Sequence, residues 1–428
     1  MDSLETAGLP ADDGTVWAPW RRHAAERPER DAVVHWVAGE APFRWRWGAL
    51  WERALRYAAA LEGAGVRPGE VCATLIRHHP EFYPLYMGIV LAGGTPAVLA
   101  YPNARLHERK FRDGLEGMSR HSGIDRLLTQ RALDAVVRPL VEKEGSTIRG
   151  LLFPLEWELP PAAGRPAAFA ETDPGAPCLL QHSSGTTGLQ KGVEISHGAL
   201  REHVRRYGAA IGASDGDRVV SWLPLYHDMG LIAALHLPLA LGIPTVQIDP
   251  FEWVLAPALL LEAISREGGT LSWLPNFAYN LMAERVFDEE LEGVRLDSVR
   301  MLVNCSEPVR AESHARFARR YAGLGLRPEA LSACYAMAET TFAATQVPPG
   351  APAPVLAASR AELARGRFVP AKDGEASRAC VSSGTAIGGV EVRVVEPETG
   401  RALPEGEVGE PWIRSVSLFG GYRNNPEK

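Results

Sequence analysis

Cysteine is scarce and unpaired in this chain. The five cysteines, Cys72, Cys178, Cys305, Cys334 and Cys380, form no CxxC pair, and their odd number and wide spacing suit neither a disulfide framework nor a metal site. They are expected to be reduced, mostly buried thiols. A basic excess is also missing: 45 Lys and Arg against 52 Asp and Glu leave a net charge of −7. That balance argues against a general nucleic-acid or membrane-surface binder, since both call for a cationic surplus. It leaves room for a small anionic ligand, which needs only local positive potential. No apolar run approaches the ~20 residues that cross a bilayer, so no membrane span is expected. The opening MDSLETAGLPADDG is acidic and has no apolar h-region, so no signal peptide is expected and the protein is placed in the cytoplasm.

What is present is ordinary globular material. Hydrophobic residues make up 46% and charged residues 23% of 428 positions, enough for a large core without disulfides or metals. The length suggests two or three domains. Helical and extended patterns alternate. ALWERALRYAAALEGAG (Ala49–Gly65) has helical spacing and stops at Gly; EVCATLIR reads as a buried strand; PEFYPLYMGIVLAGGTPAVLA reads as a helix and then a strand. VVSWLPLY, TVQID, GGTLSWLP and VRMLVNCS are short β-branched runs between helical stretches such as VLAPALLLEAISREG and ESHARFARRYAGLGL. The alternation predicts an α/β fold with parallel-rich sheets covered by helices on both faces. After about Gln346 the texture shifts to Pro/Ala-rich VPPGAPAPVLAAS and then to two alternating strands in VEVRVVEPETGRALPEGEVGEPWIRS. The expected division is therefore 1–175 and 176–345, two α/β subdomains, and 346–428, a small β-barrel-like subdomain behind an insertion.

One stretch stands out. HSSGTTGLQKGV, His182–Val193, has almost no side chain able to build a core. It fits neither the Walker pattern GxxxxGK[ST] nor GxGxxG. Its glycines permit positive φ and close backbone approach. Its hydroxyls and Lys191 offer donors and a point charge to oxyanions. A plain surface hairpin of the same composition is the alternative.

Further along lie WLPLYHDMGL (Trp222–Leu231), NCSEPV (Asn304–Val309) and YAMAETT (Tyr335–Thr341). With the loop, these four stretches resemble, in order, the motifs of the adenylate-forming superfamily. LPLYHDMGL, PNFAYNL (Pro275–Leu281) and the extra segment from about Gln346 to Val381 resemble its fatty acyl-AMP ligase branch. The resemblance runs from about residue 17 onward and implies a chemistry: a carboxylic acid and ATP give acyl-adenylate and pyrophosphate, and the acyl group then passes to the phosphopantetheine thiol of an acyl carrier protein. Such a reaction between two anions rests on positioning and charge neutralisation.

By resemblance, Ser183, Ser184, Gly185, Thr186, Thr187, Gly188 and Lys191 hold the β- and γ-phosphates. Glu339 is implied as the ligand of Mg²⁺, for which one carboxylate beside phosphates and waters is adequate. Thr340 is implied on the α-phosphate and Tyr335 on adenine, with Asn304, Ser306 and Glu307 lining the base pocket and Ala336 and Met337 among the nucleotide-binding residues. His227 and Asp228 are placed to orient the carboxylate; catalysis falls to His227, Glu339, Thr340 and Lys191. Taken singly, Glu339 reads as a helix-cap partner and His227 as a core histidine; the ordered motifs reverse that. Trp222, Met229, Trp273, Phe277 and Met282 are candidates for the wall of the acid-binding tunnel, against the plainer reading that they are core.

The sequence also departs from the family pattern. Bulky Trp273-Leu274 stands where long-chain ligases tend to have small residues, Ala336 where Gly is common, and Cys305-Ser306 where Gly-Ala is usual. These point to a specialised acid. The chain ends at GGYRNNPEK, Gly420–Lys428, short of the family's small C-terminal lid domain, and weak turnover is the expectation for it. Three rivals stay open: an acyl-CoA synthetase, which free coenzyme A would reveal; a silent docking subunit, against which intact Lys191, Glu339 and Thr340 argue; and an unrelated phosphate-loop NTPase, which would release ADP or phosphate.

Overall fold

Three short runs, MLVN, LSWL and TVQI, are buried at every position. Strands covered by helices on both faces must be apolar on both, so alternation is lost. In the computed structural model, which describes residues 14–102, 108–162, 172–183, 191–425 and 427, these runs lie inside a nine-stranded sheet. Its order is Thr385–Ala386, Ala343–Gln346, Leu331–Ala336, Met301–Asn304, Leu271–Leu274, Val219–Ser221, Thr245–Ile248, Asp31–Trp36, Phe43–Arg46. From Leu331–Ala336 to Asp31–Trp36 the pairing is parallel; the strands at both edges are antiparallel.

A second sheet is parallel throughout, in the order Thr95–Val98, Val71–Leu75, Arg126–Thr129, Gly150–Leu152. The helix Phe82–Leu91, buried along its whole length, joins its first two strands in sequence. An all-round apolar helix of this kind can exist only inside the protein. A third sheet is antiparallel: Pro177–Ser183 pairs with Lys191–Ser196, which pairs with Gly421–Tyr422.

The predicted α/β class and parallel-rich sheets are found. The helix expected over 49–65 spans Trp47–Gly63. The stretch read as one helix in VLAPALLLEAISREG is two, Pro250–Leu255 and Ala258–Glu267, because Pro257 interrupts the backbone hydrogen-bond ladder. Sheet membership does not follow the linear cuts. Asp31–Trp36 and Phe43–Arg46, from the segment expected to form its own subdomain, complete the sheet otherwise built from 219–386. The cut near 345 falls within the strand Ala343–Gln346. Such long-range pairing has no local sequence signal.

The barrel-like expectation is corrected. Among the described residues, Val390–Val395 pairs with Glu410–Ser415 as a two-stranded ribbon, and Val355–Ser359 with Ser377–Val381 as another. Neither has the strands needed to close on itself. The ribbon leaves Val392, Val394 and Trp412 exposed. All five cysteines are free, four of them buried, and no described helix is long and apolar enough to cross a membrane.

Candidate functional site

The parallel strands deliver the predicted motifs to one edge. Trp222 follows Val219–Ser221, Pro275 follows Leu271–Leu274, Ser306 lies just past Met301–Asn304, and Ala336 ends Leu331–Ala336. Ligands in open α/β sheets gather at these carboxyl ends. Two cavities open there. One, of about 530 Å³, is lined by Gln181, His182, Asp228 and Glu339 together with apolar Leu99, Phe111 and Met118. The other, of about 560 Å³, has apolar walls that include Trp222, Met229, Phe277, Phe251 and Phe82. Tyr226, His227 and Ser306 line both. A more polar chamber and a more apolar one thus meet along a shared wall that includes His227.

The turn carrying His227 is held from several sides. The His227 amide donates to Pro224 O at 3.1 Å, and the Leu231 amide to His227 O at 2.8 Å. Asp228 Oδ1 accepts from the Met229 amide at 2.8 Å, starting a buried π-helix, Met229–His236. The Gln181 side chain donates to the carbonyl of Tyr226. His227 Nδ1 is 3.5 Å from Asp228 Oδ1, and that carboxylate holds the imidazole pKa above its ordinary value. The ring is half-exposed and its charge adjustable. Ser306, beside it, has φ 69°, a strained conformation for a non-glycine residue.

Glu339 sits on a short 3₁₀ turn, Ala338–Thr340, and its carboxylate borders the polar cavity. Tyr422 Oη donates to Glu339 Oε1 at 2.7 Å. Burial and Glu339 push the Tyr422 hydroxyl up to about 12, so it stays a donor. Lys191 Nζ lies 4.7 Å from the centre of the same ring, a cation–π distance. Glu339, Lys191 and Tyr422 are therefore one cluster.

Other predicted residues lie elsewhere. Trp273 and Met282 are fully buried core, not cavity wall: Trp273 Nε1 donates to Tyr207 Oη at 2.8 Å, and Met282 O accepts from Tyr321 Oη at 2.8 Å. Thr340 is buried, and its hydroxyl lies 2.8 Å from Phe342 O and 3.0 Å from Met337 O, turned to the backbone. Asn304 is buried behind Ser306, with Nδ2 on Asn276 and His314 and its Oδ1 without a partner. Glu307 lines the apolar cavity rather than the other one, its Oε2 accepting from the Phe277 amide at 3.0 Å, and Tyr335 is exposed at its strand end. Ser184, Gly185, Thr186, Thr187 and Gly188, and the side chain of Ser183, lie outside the described residues.

Sequence reasoning missed Gln181, His182 and Tyr422. His182 Nε2 is 2.8 Å from Ser122 Oγ, its Nδ1 has no partner, and burial pushes its pKa down to about 4. Gln181 Oε1 is likewise unpartnered. Buried polar atoms left unpaired beside a polar cavity fit a ligand rich in hydrogen-bonding groups, as a nucleoside triphosphate is. For Mg²⁺ the donor set also fits: Glu339 offers a carboxylate, and this ion takes few protein ligands beside phosphates and waters. Among the described residues no cluster of three His, Cys, Asp or Glu could hold a metal by itself.

Residues 20–423 match the family described as AMP-binding enzyme. The chain belongs to this family. Within it, this AMP-binding enzyme is close to fatty acyl-AMP ligases in sequence and structure. It is 28% identical over 436 residues to the long-chain-fatty-acid–AMP ligase FadD26 of Mycobacterium marinum, covering 98% of this chain and 72% of that protein. It is 34% identical over 249 residues to the medium-chain-fatty-acid–[acyl-carrier-protein] ligase TtuA of Teredinibacter turnerae, covering 58% and 39%. The chain spans 65% of the length of another relative, fadD25 of Mycobacterium tuberculosis. Its fold superposes with TM-score 0.88 and 27% identity on a fatty acyl-adenylate ligase from L. pneumophila in complex with acyl adenylate and pyrophosphate, covering 98% of this chain and 72% of that one.

Proposed function

We propose that this AMP-binding enzyme activates a carboxylic acid, of the fatty-acid class, with ATP and Mg²⁺, then passes the acyl group to the thiol of an acyl carrier protein. The observation that carries the reading is the junction, along a wall that includes His227, of an apolar cavity with a more polar one. The acid's tail occupies the apolar chamber against Trp222, Met229 and Phe277. Its carboxylate lies at His227, whose imidazole, favoured as a cation by Asp228, offsets the repulsion between carboxylate and phosphate. A carboxylate oxygen attacks the α-phosphorus, the bond to the β-phosphate oxygen breaks, and pyrophosphate departs. The thiol then attacks the acyl carbon and AMP leaves.

Lys191 and the loop before it take the phosphates, and Glu339 is the residue to hold Mg²⁺, whose chemistry is to neutralise charge on the phosphate oxygens. The names of TtuA and FadD26 support the acid class, and that of TtuA supports an acyl carrier protein as acceptor. Isotope exchange between ATP and pyrophosphate across a panel of acids, with Glu339→Ala as control, tests the reading. Acid-dependent exchange that survives in Glu339→Ala would remove Glu339 from the assignment. Release of ADP instead of AMP would reject adenylation altogether, and acceleration by free coenzyme A in place of a carrier protein would reassign the acceptor.

A further inference from the structure

Tyr422 belongs to a two-residue strand, Gly421–Tyr422, that pairs with the strand leaving the phosphate loop, in register opposite Val193. Backbone ties fix it there. The Phe419 amide donates to Glu339 O at 2.9 Å, the Gly420 amide to Glu194 O at 2.8 Å, and the Arg423 amide to Gly192 O at 2.8 Å. The Arg423 guanidinium adds an ion pair to Glu194 at 2.7 Å. From this rigid seat one side chain touches two opposite charges: its hydroxyl donates to Glu339 Oε1 at 2.7 Å, and its ring lies 4.7 Å from the Lys191 ammonium. Glu339 borders the polar cavity while Tyr422 is not among the described residues lining it, so the phenol reaches the carboxylate from behind.

A carboxylate and an ammonium that share Tyr422 as a neighbour attract, and direct contact would consume both as ligands for other groups. An aromatic face holds the cation without removing its charge, and a phenol occupies one carboxylate oxygen while leaving the other free.

We propose that Tyr422 is a positioning residue for adenylate formation: its hydroxyl fixes Glu339 with one oxygen turned to the cavity for a divalent cation, and its ring keeps Lys191 apart as a separate charge for phosphate. This rests on the adenylation reading given above. Tyr422 touches neither substrate nor metal and acts only through Glu339 and Lys191.

The test is ATP binding to the full chain by titration calorimetry, with Mg²⁺ and with EDTA, for the unsubstituted protein, Tyr422→Phe and Tyr422→Leu. In Tyr422→Phe the ring stays and the hydroxyl goes. The tightening by Mg²⁺ is expected to fall about tenfold, with binding in EDTA and the thermal midpoint unchanged. In Tyr422→Leu, binding in EDTA also weakens, as Lys191 closes on Glu339. An unchanged Mg²⁺ dependence in Tyr422→Phe overturns the proposal alone, as does an equal loss with and without Mg²⁺, which marks a merely structural role. Absence of ATP binding by the unsubstituted chain overturns the adenylation reading and this proposal together.

Discussion

The side-chain amide of Gln181 donates a 2.6 Å hydrogen bond to the backbone carbonyl of Tyr226. Gln181 lies on the strand Pro177–Ser183, and Tyr226 immediately precedes His227. Two segments apart in sequence are thereby locked side by side, and the lock sets where the His227 imidazole stands relative to the strand Pro177–Ser183. Gln181→Leu removes the bond at similar volume. A neutral hydrogen bond contributes about 1 kcal/mol net, so stability is expected to change little. Affinity for a non-hydrolysable acyl-sulfamoyl adenosine is expected to fall about tenfold by calorimetry. Wild-type affinity in this variant would show that the turn is held by its other bonds.

Trp273 and Phe277 separate core from cavity wall. Trp273 Nε1 donates to Tyr207 Oη, which in turn donates to Gln346 Oε1 at 2.9 Å. Trp273→Phe breaks the start of this buried chain and opens space, and should lower unfolding free energy by about 2 kcal/mol while leaving acyl-chain preference unchanged. Phe277 is 43% exposed on the apolar chamber. Phe277→Ala should alter chain-length preference in a panel of acyl-sulfamoyl adenosines at little expense in thermal midpoint. A changed preference in Trp273→Phe would return Trp273 to the tunnel.

Buried histidines make the fold acid-sensitive. Burial pushes His203 and His236 down to about 3, and His23 and His314 down to about 4. An unfolded chain protonates them near pH 6.5, whereas the folded chain does not, so the unfolded state binds more protons throughout the window below 6.5. Stability is therefore full above pH 6.5 and is lost as pH falls toward the folded values. Each such group contributes a loss of about 2 kcal/mol between pH 6.5 and 5. Denaturant melts over this range should show a steep decline, and His236→Gln should flatten it by one proton's worth. A level profile would mean that the imidazoles are not held neutral by burial.

Gly230 sets the bend after His227. A Cβ there would clash with Pro224 O and meet Leu223 O at 3.1 Å, both backbone atoms. Gly230→Ala must push the Trp222–Asp228 segment aside. A destabilisation of about 1–3 kcal/mol is expected, together with loss of acyl-adenylate analogue binding. An alanine variant with native thermal midpoint and binding would show that the turn yields freely.

Much of this was legible in the residues. The α/β class follows from alternating apolar runs and helical spacing, and WLPLYHDMGL, NCSEPV and YAMAETT do fall at the carboxyl ends of parallel strands. Bulk misled at Trp273: a large aromatic in a motif-bearing stretch reads as tunnel wall, yet its strand position, four buried residues in a row, points it into the core. Thr340, implied by resemblance on a phosphate, has its hydroxyl turned to the Met337 and Phe342 carbonyls. Tyr422 carried no signal. It ends a turn-rich segment more than eighty residues from its carboxylate partner.

The sequence by itself determined the class of fold and the order of the motifs, since local pattern and residue type encode both of these. Tertiary structure alone decided that residues 31–46 close the sheet of a later segment, that two cavities join at His227, and that Tyr422 stands against both Glu339 and Lys191. Those are pairings across long stretches of chain. They are selected by the burial of whole sheet and helix faces, and no short window of residues contains that information.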